Sequence, residues 1–257
     1  MLKKRIIPKF LVSNGRLVKA VRFFDNWREA GSPVSTAKVY DSYGVDEMIF
    51  LDINASTTGN LIDHTIIEDV SEEIFMPFAV GGGVRNLEQI RLLLSSGADK
   101  VCITSAATEN PDFVSQAAKR FGDQCIVVNI DYKTTEDGCF IYKNGGRDCM
   151  KVDPLDWALK MEEAHAGEII INSIDRDGTM SGYDLDLIAK LSDRLEKPLI
   201  ASSGAGSLKH CIDAFEAGAS AITISSMFLF TDHSPIKVRS YLGGNGIDVR
   251  RQSGSRS

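Results

Sequence analysis

At 257 residues, with 43% hydrophobic and 25% charged side chains, the chain can bury one large core and still present a polar surface. Its formal net charge of −6 argues against nucleic acid as a partner, because gripping a phosphate backbone needs clustered Lys and Arg. No stretch approaches the roughly 18 apolar residues of a membrane span, and the basic start Lys3-Lys4-Arg5 leads into neither a long apolar run nor a small-residue cleavage site.

Along the chain, short apolar runs alternate with longer helical patterns. Strands are predicted at Arg5–Val12, Glu47–Asp52, Phe78–Val80, Lys100–Ile103, Cys125–Asp131, Glu168–Asn172, Leu199–Ala201 and Ala221–Ile224. Each is nearly continuous in apolar residues, as in a parallel sheet covered on both faces. Between them the clearest helices are Leu87–Ser96, Asp112–Phe121, Pro154–Ala164, Asp184–Arg194 and Ser207–Ala217. Asn110-Pro111 and Asp153-Pro154 read as helix starts, and Gly97 and Gly218 as left-handed stops. Eight strands alternating with helices is the count that closes a (β/α)8 barrel. An open doubly wound sheet would want a Gly-rich fingerprint after its first strand, and here Ser13-Asn14-Gly15-Arg16 is a turn.

Two segments interrupt the alternation. Residues 132–150 read as a hairpin insertion with turns at Asp137-Gly138 and Asn144-Gly145, set on the face where the fifth strand ends. Residues 243–257 read as a flexible tail following a single barrel over 1–242.

The chain also repeats itself. Residues 77–105 align without a gap on residues 198–226, a shift of 121 positions, matching Pro77 with Pro198, Gly83 with Gly204, Leu87 with Leu208, Gly97 with Gly218 and Ser105 with Ser226. Glu47 and Glu168 fall on the same shift. A period near half the chain is what two fused half-barrels leave behind.

Barrel chemistry sits at the C-terminal ends of the strands. After the third and fourth strands come Gly81-Gly82-Gly83 and Thr104-Ser105; after the seventh and eighth come Ser202-Ser203-Gly204 and Ser225-Ser226. Glycines admit an anion close to backbone N–H groups, hydroxyls add donors, and short helix starts add their dipoles. Each loop read alone is equally a tight strand-to-helix turn; two in register at half-barrel spacing point to paired phosphate sites. The polar loop from Ser173 through Asp177 and Gly178 to Asp184 invites a binding role, or serves as a turn capped by Asp184. Asp131 and Asp52 end strands where a carboxylate serves as general acid or base, and Lys19 in the first loop is a candidate anion clamp. At the opposite end, Arg5, Glu47, Lys100 and Glu168 start strands and can ring the barrel floor, which on spacing alone reads as a structural salt-bridge layer. Cys102, Cys125, Cys139, Cys149 and Cys211 form no C-x-x-C pair and fit free thiols in a reducing cytoplasm; they and four scattered histidines suggest no metal site and no cofactor.

The stretches Lys4–Pro8, Asn14–Lys19, Asp46–Ile53, Val80–Gly83, Gly97–Val101, Ser173–Tyr183 and Ala201–Gly206 together resemble the cyclase subunit of imidazole glycerol phosphate synthase, over nearly the whole chain. The resemblance implies a duplicated half-barrel and a substrate phosphorylated at both ends. It also implies a glutaminase partner, a class I glutamine amidotransferase, docked at the floor, whose ammonia passes the ring of Arg5, Glu47, Lys100 and Glu168 as an entrance gate. It places phosphate at Gly82, Gly83, Thr104, Ser105, Asp177, Gly178, Ser203, Gly204, Ser225 and Ser226, and the rest of the substrate near Lys19, Asp52, Asn172 and Ser202. Two aspartates do the family's acid–base work. One is present as Asp131; Leu11 stands at the other position, and Leu cannot move a proton. Asn54 and Asn172 stand for Thr, Thr104 for Asn and Ser203 for Gly. Similar barrels accompany amidotransferases in bacterial surface-polysaccharide synthesis. The alternative expectation is therefore a paralogue that channels ammonia to a separate amidotransferase acting on a nucleotide-sugar in lipopolysaccharide assembly.

Overall fold

The computed structural model describes residues 3–250 and holds twelve strands in one sheet. In chain order they are β1 (Arg5–Ser13), β2 (Arg16–Val21), β3 (Asp25–Gly31), β4 (Met48–Asp52), β5 (Phe78–Gly81), β6 (Lys100–Ile103), β7 (Ile126–Thr135), β8 (Gly138–Lys143), β9 (Asp148–Cys149), β10 (Glu168–Ser173), β11 (Leu199–Ser202) and β12 (Ala221–Ile224). Eight of these, β1, β4, β5, β6, β7, β10, β11 and β12, pair in parallel, and β7 pairs with β10 to close the ring into a (β/α)8 barrel. All eight lie where the apolar runs predict them.

The strands alternate between two cores. The larger packs Ile6, Phe10, Met48, Phe50, Val80 and Val101 outward against the helices. The smaller takes one buried residue from each barrel strand, Ile7, Ile49, Ala79, Cys102, Val127, Ile170, Ile200 and Ala221, and fills the barrel axis. The strictly alternating side-chain direction of a strand separates Ile6 from Ile7 in this way.

The repeat read from sequence is repeated in the backbone. Asn86 (φ −150°, ψ 166°) and Ser207 (φ −148°, ψ 163°) cap equivalent helices, Leu87–Ser95 and Leu208–Glu216, and Gly97 and Gly218 leave them at the same φ of 109°. Thr104 (φ −120°, ψ −84°) matches Ser225 (φ −130°, ψ −80°). Even the loop contacts correspond: Arg85 N–H donates to Gln89 Oε1 at 2.7 Å, and Gly206 N–H donates to His210 Nδ1 at 3.3 Å, at positions 121 apart.

Several details depart from expectation. Asn110 closes a short helix, Ser105–Glu109, and the next helix begins at Asp112, one residue later than Asn110-Pro111 implies. The turn at Asn14-Gly15, with φ of 49° and 75°, opens an antiparallel hairpin, β2–β3, so Lys19 lies on a strand rather than in a loop. Asp25–Gly31 is too polar and exposed to show the alternation that betrays a strand. The insertion after the fifth strand is built by β7 running on to Thr135 and pairing with β8, which pairs with β9. Residues 243–250 are tied down, not loose: the last helix runs Pro235–Gly244, and buried Val249 bridges Lys4, whose N–H donates to Asp248 O at 2.9 Å. The remainder of the expected tail, 251–257, lies outside the described residues. No helix among the described residues is long and apolar enough to cross a membrane.

Candidate functional site

At the floor, Arg5, Glu47, Lys100 and Glu168 form a closed ring of alternating charge. Arg5 meets Glu47 at 2.8 Å and Glu168 at 2.7 Å; Lys100 meets Glu47 at 2.8 Å and Glu168 at 2.9 Å. The ring is mostly withdrawn from water. Burial raises the Glu47 carboxyl, opposed by Lys100 and Arg5. Burial would lower Lys100, but the two carboxylates outweigh it and raise the ammonium above its ordinary value. Beyond the ring lies the apolar axial layer.

Two residues further along the strands the interior turns polar. Lys9 follows Ile7 on the inward face of β1, is only 4% exposed, and donates to Asn172 Oδ1 at 2.7 Å and Ser202 Oγ at 2.5 Å. Asn172 Oδ1 also accepts from Ser202 and Ser203, at 2.8 and 2.7 Å, while Asn172 Nδ2 donates to Asp131 Oδ1 at 2.7 Å. Asn129 Nδ2 donates to the same Asp131 oxygen at 2.9 Å. Burial raises the Asp131 carboxyl, against the pull of these two amides and Lys9. Burial pushes the Lys9 amine down to about 8. Leu11, next inward on β1, presents only a hydrocarbon to the cavity.

That cavity, about 150 Å³, opens at the C-terminal strand ends and gathers Gly82, Gly83, Thr104, Ser105, Asp52, Asp131, Asn172 and Asp177, with Lys9 and Leu11 at its base. Gly82 and Gly83 have φ of 125° and 72°, and their tight fit is intrinsic to the fold: a Cβ on Gly83 would stand 1.8 Å from Asn60 O. Asp52 is committed locally, accepting N–H bonds from Asn54 and Ala55 at 2.9 and 3.1 Å, and burial raises its carboxyl. Ser105 Oγ accepts from Asn144 N–H at 3.1 Å, fastening the β8–β9 turn to this loop. Phe23, Phe24 and Trp27 of the β2–β3 hairpin form the cavity's rim, and the Arg147 guanidinium lies 5.8 Å from the Phe24 ring centroid.

A narrower recess joins Gly178, Ser203, Gly204, Ser225 and Ser226 with Lys19 and Asp177; Lys9 and Asp177 line both spaces. Ser203 takes a φ of 76° where its partner by repeat is Gly82. Ser225 Oγ is buried and has no hydrogen-bond partner among the described residues, a donor left open in this recess. Asp177 enters differently from the expectation of phosphate contact. Its N–H is used by Ile174 O and its carboxylate takes both 2.8 Å bonds from Lys19, so it offers an anion no donor and acts as the anchor of a cation. Asp184 serves as the helix cap, accepting from Leu187 N–H and from the Tyr132 hydroxyl. Among the described residues no group of three or more His, Cys, Asp or Glu is placed to hold a metal ion.

A family model described as histidine biosynthesis protein matches residues 5–234. The chain belongs to the histidine biosynthesis protein family. The match runs from the first barrel strand past the eighth and so spans both loops, the floor ring and the polar layer between them.

Sequence reading within this family missed Lys9, Asn129, the aromatic rim and Arg147. Lys9 had a signal: a charge two residues from Ile7 and two from Leu11, in a strand otherwise apolar, points inward by period two. The rim had none, because Phe24 and Trp27 reach the cavity only through the unforeseen β2–β3 hairpin.

Proposed function

We propose that this protein is the synthase subunit of a glutamine-dependent complex, of the imidazole glycerol phosphate synthase type. It receives ammonia at the floor and uses it on a substrate phosphorylated at both ends. The carrying observation is an axial order: a closed ring of charge, an apolar layer one residue thick from each strand, then Lys9 and Asp131 between two Gly/Ser loops. An apolar layer favours neutral ammonia over ammonium, because moving an unpaired charge into low dielectric costs several kcal/mol or more. Phe75, 99% exposed three residues before the floor end of β5, supports a partner on that face. Ser225, with its unused hydroxyl, supports an anion in the second loop.

In this reading the loops hold the substrate ends, Asp131 moves the proton, and the dry axis delivers ammonia beside it. Burial holds the Asp131 carboxyl above the usual carboxylate range, which suits it to taking and returning a proton. The test is turnover of the cyclase substrate with ammonium salt at alkaline pH, followed by release of aminoimidazole carboxamide ribotide. Turnover that falls ~10²–10⁴-fold in Asp131→Asn supports the assignment; equal rates in both proteins overturn it.

Leu11 favours a second reading. With one acid–base group replaced by hydrocarbon at the cavity base, the barrel would pass glutaminase-derived ammonia to a separate amidotransferase acting on a nucleotide-sugar. No turnover in the wild type, gained in Leu11→Asp, would favour this conduit; wild-type turnover unaffected by Leu11→Asp would remove it.

A further inference from the structure

A buried lysine ordinarily faces a carboxylate. Lys9 does not: among the described residues both of its hydrogen-bond partners, Asn172 Oδ1 and Ser202 Oγ, are neutral, and Asp131 is linked to it only through the Asn172 amide. Lys19 shows the contrast one strand away, with both oxygens of Asp177 on its Nζ at 2.8 Å. Lys9 lines the cavity of the first loop and the recess of the second, and so stands between the two anion cradles. A neutral amine has two N–H bonds and a lone pair. Lys9 has two acceptors, which leaves the lone pair for a third partner.

We propose that Lys9 is a nucleophilic amine that forms an imine with the carbonyl carbon of a phosphorylated aldehyde or ketone held by the loops. This rests on the phosphate-binding reading above and adds the substrate's reactive group. The chemistry balances without any redox partner. The Nζ lone pair attacks the carbonyl carbon, the C=O π electrons move to oxygen, a proton passes from the nitrogen to that oxygen, and the carbinolamine forms. Asp131, linked to Lys9 through Asn172, is the acid that protonates the departing hydroxyl; water leaves, and an iminium remains on Nζ. An acceptor of ammonia must itself carry an electrophilic carbon, and an iminium is a stronger electrophile than the carbonyl it came from. Ammonia arriving through the axis would add to that carbon and pass one proton to Nζ, which leaves as the free amine; the substrate iminium then returns its extra proton to the Asp131 carboxylate, leaving the substrate imine and restoring both lysine and acid.

The charged and titratable groups around the amine pull in known directions. Burial favours the neutral form, as does Lys19 on β2; Asp177 beyond β10, Asp131 on β7 and Cys102 on β6 oppose it, and the amine settles near 8.

The test needs no natural substrate. The purified chain is incubated with dihydroxyacetone phosphate or with dihydroxyacetone, reduced with borohydride, digested, and the modified lysines located by mass spectrometry. The expected result is Lys9 modified at least ten-fold above any other lysine with the phosphorylated ketone, falling as pH drops from 8.5 to 6.5, suppressed by inorganic phosphate and abolished in Lys9→Met. Equal modification of Lys9 by both ketones, unaffected by phosphate, keeps the amine and overturns the phosphate reading. Phosphate binding seen by calorimetry, with Lys9 modified no more than the other lysines, keeps that reading and overturns the amine.

Discussion

Lys19 on β2 and Asp177 in the loop after β10 are joined by two hydrogen bonds of 2.8 Å, with each residue at most 4% exposed. The bond spans 158 positions of sequence and pins the β2–β3 hairpin across the barrel mouth, reinforced by Arg22 N–H donating to Asp177 O at 2.8 Å. Removing one partner leaves the other charge buried alone. Lys19→Met should therefore lose ~3–5 kcal/mol of stability, and Lys19→Met with Asp177→Leu should recover more than half of that loss. Urea midpoints of the four proteins of this cycle measure it; additive losses would show that the pair is not coupled.

The floor ring gives a pH-dependent prediction. Lys100→Met leaves Glu47 and Glu168 sharing Arg5, and burial together with the neighbouring carboxylate then raises Glu47 further. An acid whose folded pKa rises binds more protons folded than unfolded over the interval between the two values, so folding gains as pH falls through it. The variant should be ~2–4 kcal/mol less stable than wild type at pH 7.5, with the gap narrowing by pH 5. Thermal unfolding at both pH values decides; a gap that widens on acidification contradicts the geometry.

Lys9 has the opposite sign. Its folded value near 8 lies below the unfolded value of about 10.4. Between the two, the unfolded chain holds a proton the folded chain has shed, so this residue adds stability as pH rises through that window, as much as about 3 kcal/mol in all. Lys9→Met removes this dependence and should be the more stable protein below pH 8. Denaturant titrations of both proteins at pH 7 and pH 10 test it, and parallel pH profiles would count against a depressed amine.

The orphan hydroxyl of Ser225 predicts a ligand contact. A hydrogen bond to a charged acceptor contributes about 1.5–3 kcal/mol, so Ser225→Ala should weaken inorganic phosphate binding roughly ten-fold or more while leaving the melting temperature of the free protein within about 1–2 °C. Calorimetric titration with phosphate measures the first and differential scanning the second. Unchanged affinity would separate Ser225 from the anion site.

What the sequence disclosed follows from how each feature is encoded. Barrel strands are continuous apolar runs because both faces are covered, so Met48–Asp52 or Leu199–Ser202 announces itself without any tertiary knowledge. The duplicated loops were legible because Gly83 and Gly204 are demanded by backbone packing, against Asn60 O and Gly182 O, and such demands survive duplication. The four ring residues were legible as strand starts, since a shared floor follows from parallel register. Roles set by pairing across the barrel were not. Nothing near Asp177 in sequence shows that Lys19 occupies its carboxylate. Lys9 stood in plain sight in a strand, but its neutral surroundings are contributed by β10 and β11.

Lys4 and Val249 meet at the floor, where the bridge between them brings the segment after the last helix alongside the start of the first strand. The ring of strands therefore closes in sequence as nearly as it does in space, and the chain's order is one choice among several. Gly122, in a left-handed turn between helix Asp112–Phe121 and β7, marks the seam between the halves on that same face. A short linker from 249 to 4, with the chain reopened at 122, would present the second half-barrel first and leave every strand neighbour unchanged. Evolution by doubling leaves such a protein indifferent to which half is made first.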